Sequence, residues 1–153
     1  MKQVLIILLS IVSIVSSAQI SLTDPIHEIK RIIENYETCN GFFCFVSEAA
    51  YESTTSKLIV KSIRYNIDDD GNEELTETRL VKIPMKKGTV AKVFTGEEDT
   101  IIITTEENQI LQTINDQEEM VDYTILVFNN HFVAEKLSKP FLKHFNKVIK
   151  SNR

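Results

Sequence analysis

Residues 57–67 read KLIVKSIRYNI, residues 68–72 read DDDGN, and residues 73–83 read EELTETRLVKI. The two outer stretches alternate between apolar and polar side chains and are rich in β-branched residues, which is typical of strands. Between them lie three aspartates and Gly71, so Asp70-Gly71 or Gly71-Asn72 makes the turn while the carboxylates keep the tip in water. Together the three stretches predict a β-hairpin. The hairpin indicates that the middle of the chain forms a β-sheet.

Similar stretches on both sides of the hairpin extend the predicted sheet. Breaks that carry Gly, Asn or Asp separate about seven strands, which we place at residues 42–48, 57–67, 74–83, 89–95, 100–104, 109–114 and 121–128. Their short connections predict antiparallel neighbours, hence a meander. Alternation predicts three sets of side chains that each share a face: Ile59, Ile63, Tyr65 and Ile67; Leu75, Val81 and Ile83; and Val121, Tyr123, Ile125 and Val127.

A helix is predicted before the sheet. Asp24 is an N-cap residue and Pro25 suits the first helical position. Asn40-Gly41 favours the end of the helix, because a residue in the left-handed conformation commonly follows a helix. The apolar residues between these signals recur at helical spacing, and they are Ile26, Ile29, Ile32, Ile33 and Tyr36.

A second amphipathic helix is predicted after the sheet. Its apolar positions are Phe132, Val133, Leu137, Phe141, Leu142, Phe145, Val148 and Ile149. Pro140 removes one helical hydrogen bond, which predicts a kink or a restart there with Ser138 as a cap. The opposite face is basic, with Lys136, Lys139, Lys143, Lys147 and Lys150. This face is either simply solvated or an interaction face for an anionic surface.

Helix, sheet and helix in this order predict an α+β domain. The stretches LVKIPMKKGTVAKVF (80–94), YTILVF (123–128) and FVAEKLSKPFLKHFNKVIK (132–150) together resemble the second half of a pleckstrin-homology-like barrel. They also resemble a group of small exported Bacteroidetes proteins of unknown role. The resemblance implies a barrel as one form of the sheet, with the last helix closing one end. No basic phosphoinositide-binding loop lies between the first strands.

The N-terminal sequence MKQVLIILLSIVSIVSSAQ has the pattern of a secretory signal. Lys2 precedes an apolar stretch, and small residues precede a cleavage site after Ala18. The apolar stretch is shorter than the roughly 20 residues that a membrane-spanning helix needs. We therefore predict a signal peptide at residues 1–18, a single domain at residues 19–153 and no transmembrane anchor after cleavage. The predicted location is the periplasm, the cell surface or the extracellular medium.

Charge excludes one class of partner. Lys2 is the one charged residue of the predicted signal, so its removal turns 17 basic and 22 acidic residues into 16 and 22, a formal charge of −6. Non-specific nucleic-acid binding needs a basic footprint, so no nucleic-acid partner is predicted. The charge is uneven, because residues 97–122 contain nine acidic residues and no Lys or Arg. Two oppositely charged surfaces are expected, either solvated or used for a partner.

The chain has two cysteines, Cys39 and Cys44. An oxidising compartment favours a disulfide, and the turn at Asn40-Gly41 can bring the two Cα atoms to disulfide distance. A redox-active pair usually has the spacing C-x-x-C at a helix N-terminus, whereas these cysteines are farther apart and lie at the predicted C-terminus of a helix. The sequence therefore predicts a local structural disulfide. A buried, unpaired Cys44 is the alternative.

One stretch has the spacing of a calcium loop. Asn66, Asp68, Asp70 and Glu77 stand at positions 1, 3, 5 and 12, with Gly71 at position 6. The flanking residues look like strands, however, and the same residues suit an acidic hairpin tip. The sequence therefore carries two interpretations, a hairpin tip and a calcium site.

No other cofactor or catalytic motif is present. The spacings H-x-x-x-H, H-E-x-x-H and G-x-S-x-G do not occur, and the chain has four glycines with no phosphate-binding loop. No catalytic residues are predicted. The sequence therefore favours an exported binding or interaction module for a protein partner or small ligand. The alternatives are a structural component of the cell envelope and a hydrolase that uses scattered carboxylates.

Overall fold

Two helices enclose a succession of strands in the computed structural model, which describes residues 24–34, 38–39, 43–94, 100–127 and 131–152. The helices are α1 (Pro25–Glu34) and α2 (His131–Ser151). The strands are β1 (Thr38–Cys39), β2 (Phe43–Glu52), β3 (Lys57–Ile67), β4 (Glu73–Pro84), β5 (Val90–Phe94), β6 (Thr100–Thr104), β7 (Ile110–Ile114), β8 (Gln117–Val121) and β9 (Tyr123–Val127).

The strands form two antiparallel sheets. The larger has the order β1-β2-β3-β4-β7-β8, and the smaller has the order β5-β6-β9. At the centre of the larger sheet, β3 and β4 pair along their whole length, from Lys57 opposite Pro84 to Ile67 opposite Glu73. The predicted α+β fold with a helix at each end is confirmed. The barrel form is not found, because no strand pairing joins the two sheets within the described residues.

Both helices close the core on the inner face of the larger sheet. Three isoleucines of α1 and four apolar residues of α2 are buried with side chains from both sheets: Ile29, Ile32, Ile33, Phe141, Phe145, Val148, Ile149, Leu58, Val60, Val81, Ile83, Ile101, Ile103 and Ile110. The rings of Phe141 and Phe145 stack with centroids 5.5 Å apart. The predicted apolar stripes of both helices are therefore the sides that pack, where these residues are described.

Helix α1 begins as predicted. The Asp24 carboxylate accepts a hydrogen bond from the Ile26 N–H at 3.0 Å, and Arg31 forms an ion pair with Glu28 at 2.9 Å. The predicted end differs, because α1 ends at Glu34 and Thr38–Cys39 is already a strand. The predicted stop signal, Asn40-Gly41, lies outside the described residues, as does Tyr36.

Helix α2 runs without a break from His131 to Ser151, with Pro140 inside it. The predicted restart at Pro140 is therefore wrong, and Ser138 is a buried residue within the helix rather than a cap. A restart is avoided because Phe141 and Phe145 beyond the proline are fully buried. Their packing outweighs the roughly 3 kcal/mol by which an internal proline disfavours a helix.

A β-bulge in β4 changes the predicted face of one residue. Arg64 lies opposite Glu77, but the next residue, Tyr65, lies opposite Leu75, so Thr76 is an extra residue in β4. An extra residue reverses the alternation on its side of the bulge. Leu75 is consequently 58% exposed, whereas Val81 and Ile83 are buried. The predicted grouping of Leu75 with these two residues is wrong for this reason.

The strand predicted at residues 121–128 is divided between the sheets. Val121 ends β8 in the larger sheet and Tyr123 begins β9 in the smaller one. The corner lies at Asp122, whose carbonyl accepts a hydrogen bond from the Thr105 N–H at 2.7 Å. Beyond the corner Thr124 is buried and Tyr123 is 55% exposed. The predicted shared face that begins at Val121 is therefore wrong.

Cys39 lies directly opposite Cys44 in the β1–β2 pair. Opposed residues of antiparallel strands have Cα atoms about 4.5 to 5.5 Å apart, which is within the roughly 4.4 to 6.8 Å that a disulfide bridges. The register is therefore compatible with the predicted disulfide, which would join the neighbouring strands β1 and β2.

We expect thiol titration of the denatured, unreduced protein to find no free thiol, because the opposed backbone positions favour closure in an oxidising compartment. After reduction the same titration should find two thiols, which is the internal control. Two thiols before reduction would contradict the disulfide and favour the alternative of an unpaired Cys44.

Candidate functional site

The inner face of the larger sheet changes from apolar to polar towards the β3–β4 turn. Val60 on β3 and Val81 on β4 are buried and lie opposite each other. Two residues farther along, Ser62 lies opposite Arg79, and both side chains are half-buried. Because alternate residues of a strand share a face, this polar pair continues the same inner face. The apolar core therefore ends at a half-buried polar cluster.

Arg79 is the centre of this cluster. Its Nε donates to Gln112 Oε1 at 3.0 Å, and its Nη2 also donates to that oxygen. Nη2 further donates to Thr124 Oγ1 at 2.9 Å, and Nη1 donates to the Ile125 carbonyl at 3.4 Å. Gln112 and Thr124 are buried. One guanidinium thus connects β4 and β7 of the larger sheet with β9 of the smaller sheet.

The electrostatics of Arg79 reflect its position. Burial lowers the pKa of Arg79 from its ordinary value, while the negative charges of Glu77 and Glu119 and the nearby Tyr123 act in the opposite direction. An arginine in a protein keeps its proton, so the cluster holds a permanent positive charge. Gln112 Nε2 donates to Glu119 Oε1 at 2.8 Å and carries the network to β8.

Strand β8 is reached through a tight hairpin turn. Ile114 lies opposite Gln117, so Asn115 and Asp116 form the loop, and both have positive φ angles of 47° and 67°. These values are those of a type I′ turn. The Asn115 N–H donates to the Thr78 carbonyl and its Oδ1 accepts from the Thr78 N–H, both at 2.9 Å. The turn is therefore fastened to β4.

One side of β8 has no strand partner among the described residues, since β8 ends the larger sheet. Gln117, Glu118, Glu119 and Met120 are all exposed, Met120 by 52%. The pair that flanks a two-residue turn is hydrogen-bonded, and hydrogen-bonded and non-hydrogen-bonded pairs then alternate. The main-chain groups of Glu118 and Met120 consequently point away from β7, towards this edge.

A cleft of about 400 Å³ borders this strand, lined by Ile114, Asn115, Gln117, Glu118 and Glu119. The last three are consecutive residues of β8, and consecutive side chains of a strand point to opposite faces. A cleft that touches both faces of one strand lies along its edge. The cleft therefore adjoins the open main-chain groups of Glu118, at the turn end of this edge.

The calcium candidates lie at the β3–β4 turn. Asn66 is on β3 and Glu77 is on β4, so the stretch is a hairpin rather than a loop between helices. The Asp68 carboxylate accepts the Asp70 N–H at 3.0 Å and the Asn72 N–H at 2.7 Å, and the Asn72 side-chain amide also donates to it at 3.0 Å. These hydrogen bonds lower the pKa of Asp68 from its ordinary value, and the bond from the Asn72 side chain has the largest effect.

The hairpin interpretation of this stretch is confirmed. Within the described ranges, no group of three or more His, Cys, Asp or Glu side chains is arranged to hold a metal ion. The Asp68 carboxylate is already engaged by the turn that it stabilises. The calcium site stays a prediction.

The predicted basic face of α2 is exposed where its side chains are described, at Lys139, Lys143, Lys147 and Lys150. The side chain of Lys136 lies outside the described residues. The opposite face of the helix is buried in the core, so it is not available to insert into a lipid surface. An interaction role for the lysines stays a prediction.

The sequence did not single out Arg79, Gln112 and Thr124, and it noted Glu118 and Glu119 only as part of the acidic stretch at residues 97–122. By alternation Arg79 shares a face with Val81 and Ile83, and Gln112 shares a face with Ile110 and Ile114, but nothing local marks the two polar residues as partners. Strand β8 carried a usable signal, because Asn115-Asp116 separates two five-residue runs, which is the spacing of a hairpin.

Over residues 24–34, 38–39, 43–94, 100–127 and 131–152, no helix is long and apolar enough to cross a membrane. Comparison of the chain with protein-family models, with curated proteins and with solved structures finds no match.

Proposed function

We propose that this chain is an exported binding module that holds a partner non-covalently at the β8 edge and its cleft. The observation that carries the proposal is the coincidence of the two features: outward-pointing main-chain groups at Glu118 and Met120, and a cleft along the same strand. Exposed sheet edges are recognised by other polypeptides through main-chain hydrogen bonds. The fastened turn at Asn115 and the Gln112–Glu119 hydrogen bond hold this edge in place before binding.

Binding is favoured over hydrolysis by the described carboxylates. A hydrolase that uses carboxylates needs an acid whose pKa is raised inside a pocket. The pKa of Asp68, the carboxylate at the β3–β4 tip, is lowered instead, and Asp68 is fully exposed. Glu119 is exposed and accepts a hydrogen bond from the Gln112 side-chain amide, which holds the carboxylate in position.

Export is part of the proposal and rests on the sequence of residues 1–18, which lie outside the described residues. The charged start, apolar stretch and small residues before the cleavage site support a signal peptide. The opposed cysteines of β1 and β2 suit the oxidising compartment that export would provide.

Site-specific photo-cross-linking tests the proposal. The tagged protein carries p-benzoylphenylalanine in place of Glu118 and is irradiated in its native cells, with the same substitution at the exposed Asn146 of α2 as the matched control. We expect one discrete adduct from position 118 and none from position 146, because contact is confined to the β8 edge.

Two other outcomes would overturn the proposal. Equal adducts from both positions would show non-specific contact. An adduct of position 118 with the mass of a homodimer would favour the alternative of a self-associating envelope component.

A further inference from the structure

We infer that the occupant of the β8 edge is an extended basic polypeptide segment that pairs with β8 as an added strand. The inference deepens the proposed function and rests on it. Glu118 and Met120 each offer one N–H donor and one carbonyl acceptor at the open edge. A partner strand is the occupant that satisfies these groups in their alternating order.

Charge selects the partner. The side chains of Glu118 and Glu119 are exposed on opposite faces of β8, and Asp116 and Asp122 stand just before and just after the strand. Glu119 accepts one hydrogen bond from Gln112 through Oε1. An incoming strand therefore meets negative charge on both faces. Lysine or arginine opposite Glu118 and Glu119 is favoured, because opposite charges on paired strands stabilise each other.

The same charges disfavour a second copy as the occupant. If β8 paired with β8 of another copy, Glu118 and Glu119 of one strand would lie near those of the other. Like charges on paired strands are destabilising, and charged edges commonly prevent sheets from joining. Met120 adds a second preference for the sequence of the partner strand, since its exposed side chain favours an apolar residue opposite it.

Peptide binding provides the first test, with two fluorescein-labelled octapeptides as probes. One repeats Val-Lys-Lys, which can place lysines opposite Glu118 and Glu119 and valine opposite Met120, and the control repeats Val-Glu-Glu. In anisotropy titrations of the full chain we expect saturable binding of the lysine peptide and about tenfold or more weaker binding of the glutamate peptide. Raising the NaCl concentration should weaken the lysine peptide's binding, because exposed charges are screened.

Two substitutions at one position separate charge from strand pairing. Glu118→Gln removes the charge and keeps the N–H, whereas Glu118→Pro removes both. The Glu118 N–H points away from β7, so proline leaves the β7–β8 hydrogen bonds in place, as it does at the edges of natural sheets. We expect Glu118→Pro to weaken binding of the lysine peptide about tenfold more than Glu118→Gln does.

Amide hydrogen exchange gives a readout that needs no substitution. Addition of the lysine peptide should slow exchange at Glu118 and Met120 about tenfold or more. Exchange at Glu119, whose N–H pairs with β7, should change little. This measurement decides the question even if Glu118→Pro impairs folding.

Three results would overturn the inference. One is absence of binding of the lysine peptide up to about 1 mM, the weak limit of specific recognition. The second is equal binding of the lysine peptide by Glu118→Pro and Glu118→Gln. That result would show that the peptide is held by charge attraction and not by strand addition. The third is unchanged exchange at Glu118 and Met120. An adduct of the photo-cross-linker at position 118 would still support the proposed function in each case. Failure of the inference about the basic strand is therefore distinguishable from failure of the proposed binding function.

Discussion

Replacing Arg79 with leucine is expected to lower the free energy of unfolding by about 3 kcal/mol. Leucine retains apolar volume but removes every donor of the guanidinium. The oxygens that lose their hydrogen bonds are Gln112 Oε1, Thr124 Oγ1 and the Ile125 carbonyl. A buried acceptor without a partner is unfavourable by about 1 to 3 kcal/mol. The two sheets lose the polar connection between them, and urea denaturation measures the change.

Lys61→Leu is the matched control for Arg79→Leu, since Lys61 is an exposed basic residue on the neighbouring strand β3. We expect that substitution to change the free energy of unfolding by less than about 0.5 kcal/mol. The double variant Arg79→Leu with Gln112→Leu should recover part of the loss, because removing both partners leaves fewer unsatisfied groups. A loss below about 1 kcal/mol in Arg79→Leu would show that the cluster is solvated rather than a connection between the sheets.

The elements that the sequence predicted most closely are those whose signals are local. Strand β3 has the predicted bounds, and the first helix begins at Pro25 after the Asp24 cap. In both cases a period of two or of 3.6 agrees with the chemistry of the adjoining turn or cap. Local agreement of this kind fixes an element before any tertiary contact is known.

The predictions that were wrong depend on single residues. Thr76 is an extra residue in a continuous strand pattern, and the pattern contains nothing that distinguishes a bulged residue from a paired one. Asp122 looks like one polar position of an alternating strand, yet the chain changes sheets there. Both features are set by which strands meet in space, so the prediction placed Leu75 and Tyr123 on the wrong faces.

The candidate site was less predictable than the fold. Arg79 contacts residues 33 positions away at Gln112 and 45 positions away at Thr124. No spacing rule covers partners on strands of different sheets. The acidic residues of β8 were noticed as part of the acidic stretch at residues 97–122, but an excess of acidic residues does not indicate that β8 ends a sheet. Open main-chain groups are a property of strand order, and strand order follows from the whole topology.

The Arg79 cluster and the β8 edge are parts of one arrangement. A chain of hydrogen bonds runs from Thr124 through Arg79 and Gln112 to Glu119 on the edge strand. This chain fixes the Glu119 side chain on one face of β8, while the Asn115 turn fixes the end of the strand against β4. An edge that is ordered in advance loses less conformational freedom when a partner binds.

The second large effect is expected at the end of the chain, in α2. Phe145→Ala should lower the free energy of unfolding by about 4 kcal/mol, within the range for removal of a buried aromatic ring. Phe145 is fully buried and stacks on Phe141 at 5.5 Å, so alanine leaves a cavity beneath a helix that already contains Pro140. Packing of these rings is what keeps the helix continuous past the proline, and helix content should therefore fall together with stability.

Asn146→Ala is the control for this prediction, because Asn146 is the exposed neighbour of Phe145 in the same helix. Alanine there should leave stability unchanged or slightly raised, since alanine has the higher helix propensity. Urea denaturation followed by circular dichroism measures both variants. Phe145→Leu, which fills most of the cavity, should lose less than half as much stability as Phe145→Ala. If all three variants unfolded at the same urea concentration, α2 would not be the element that closes the core, and its apolar face would need another partner.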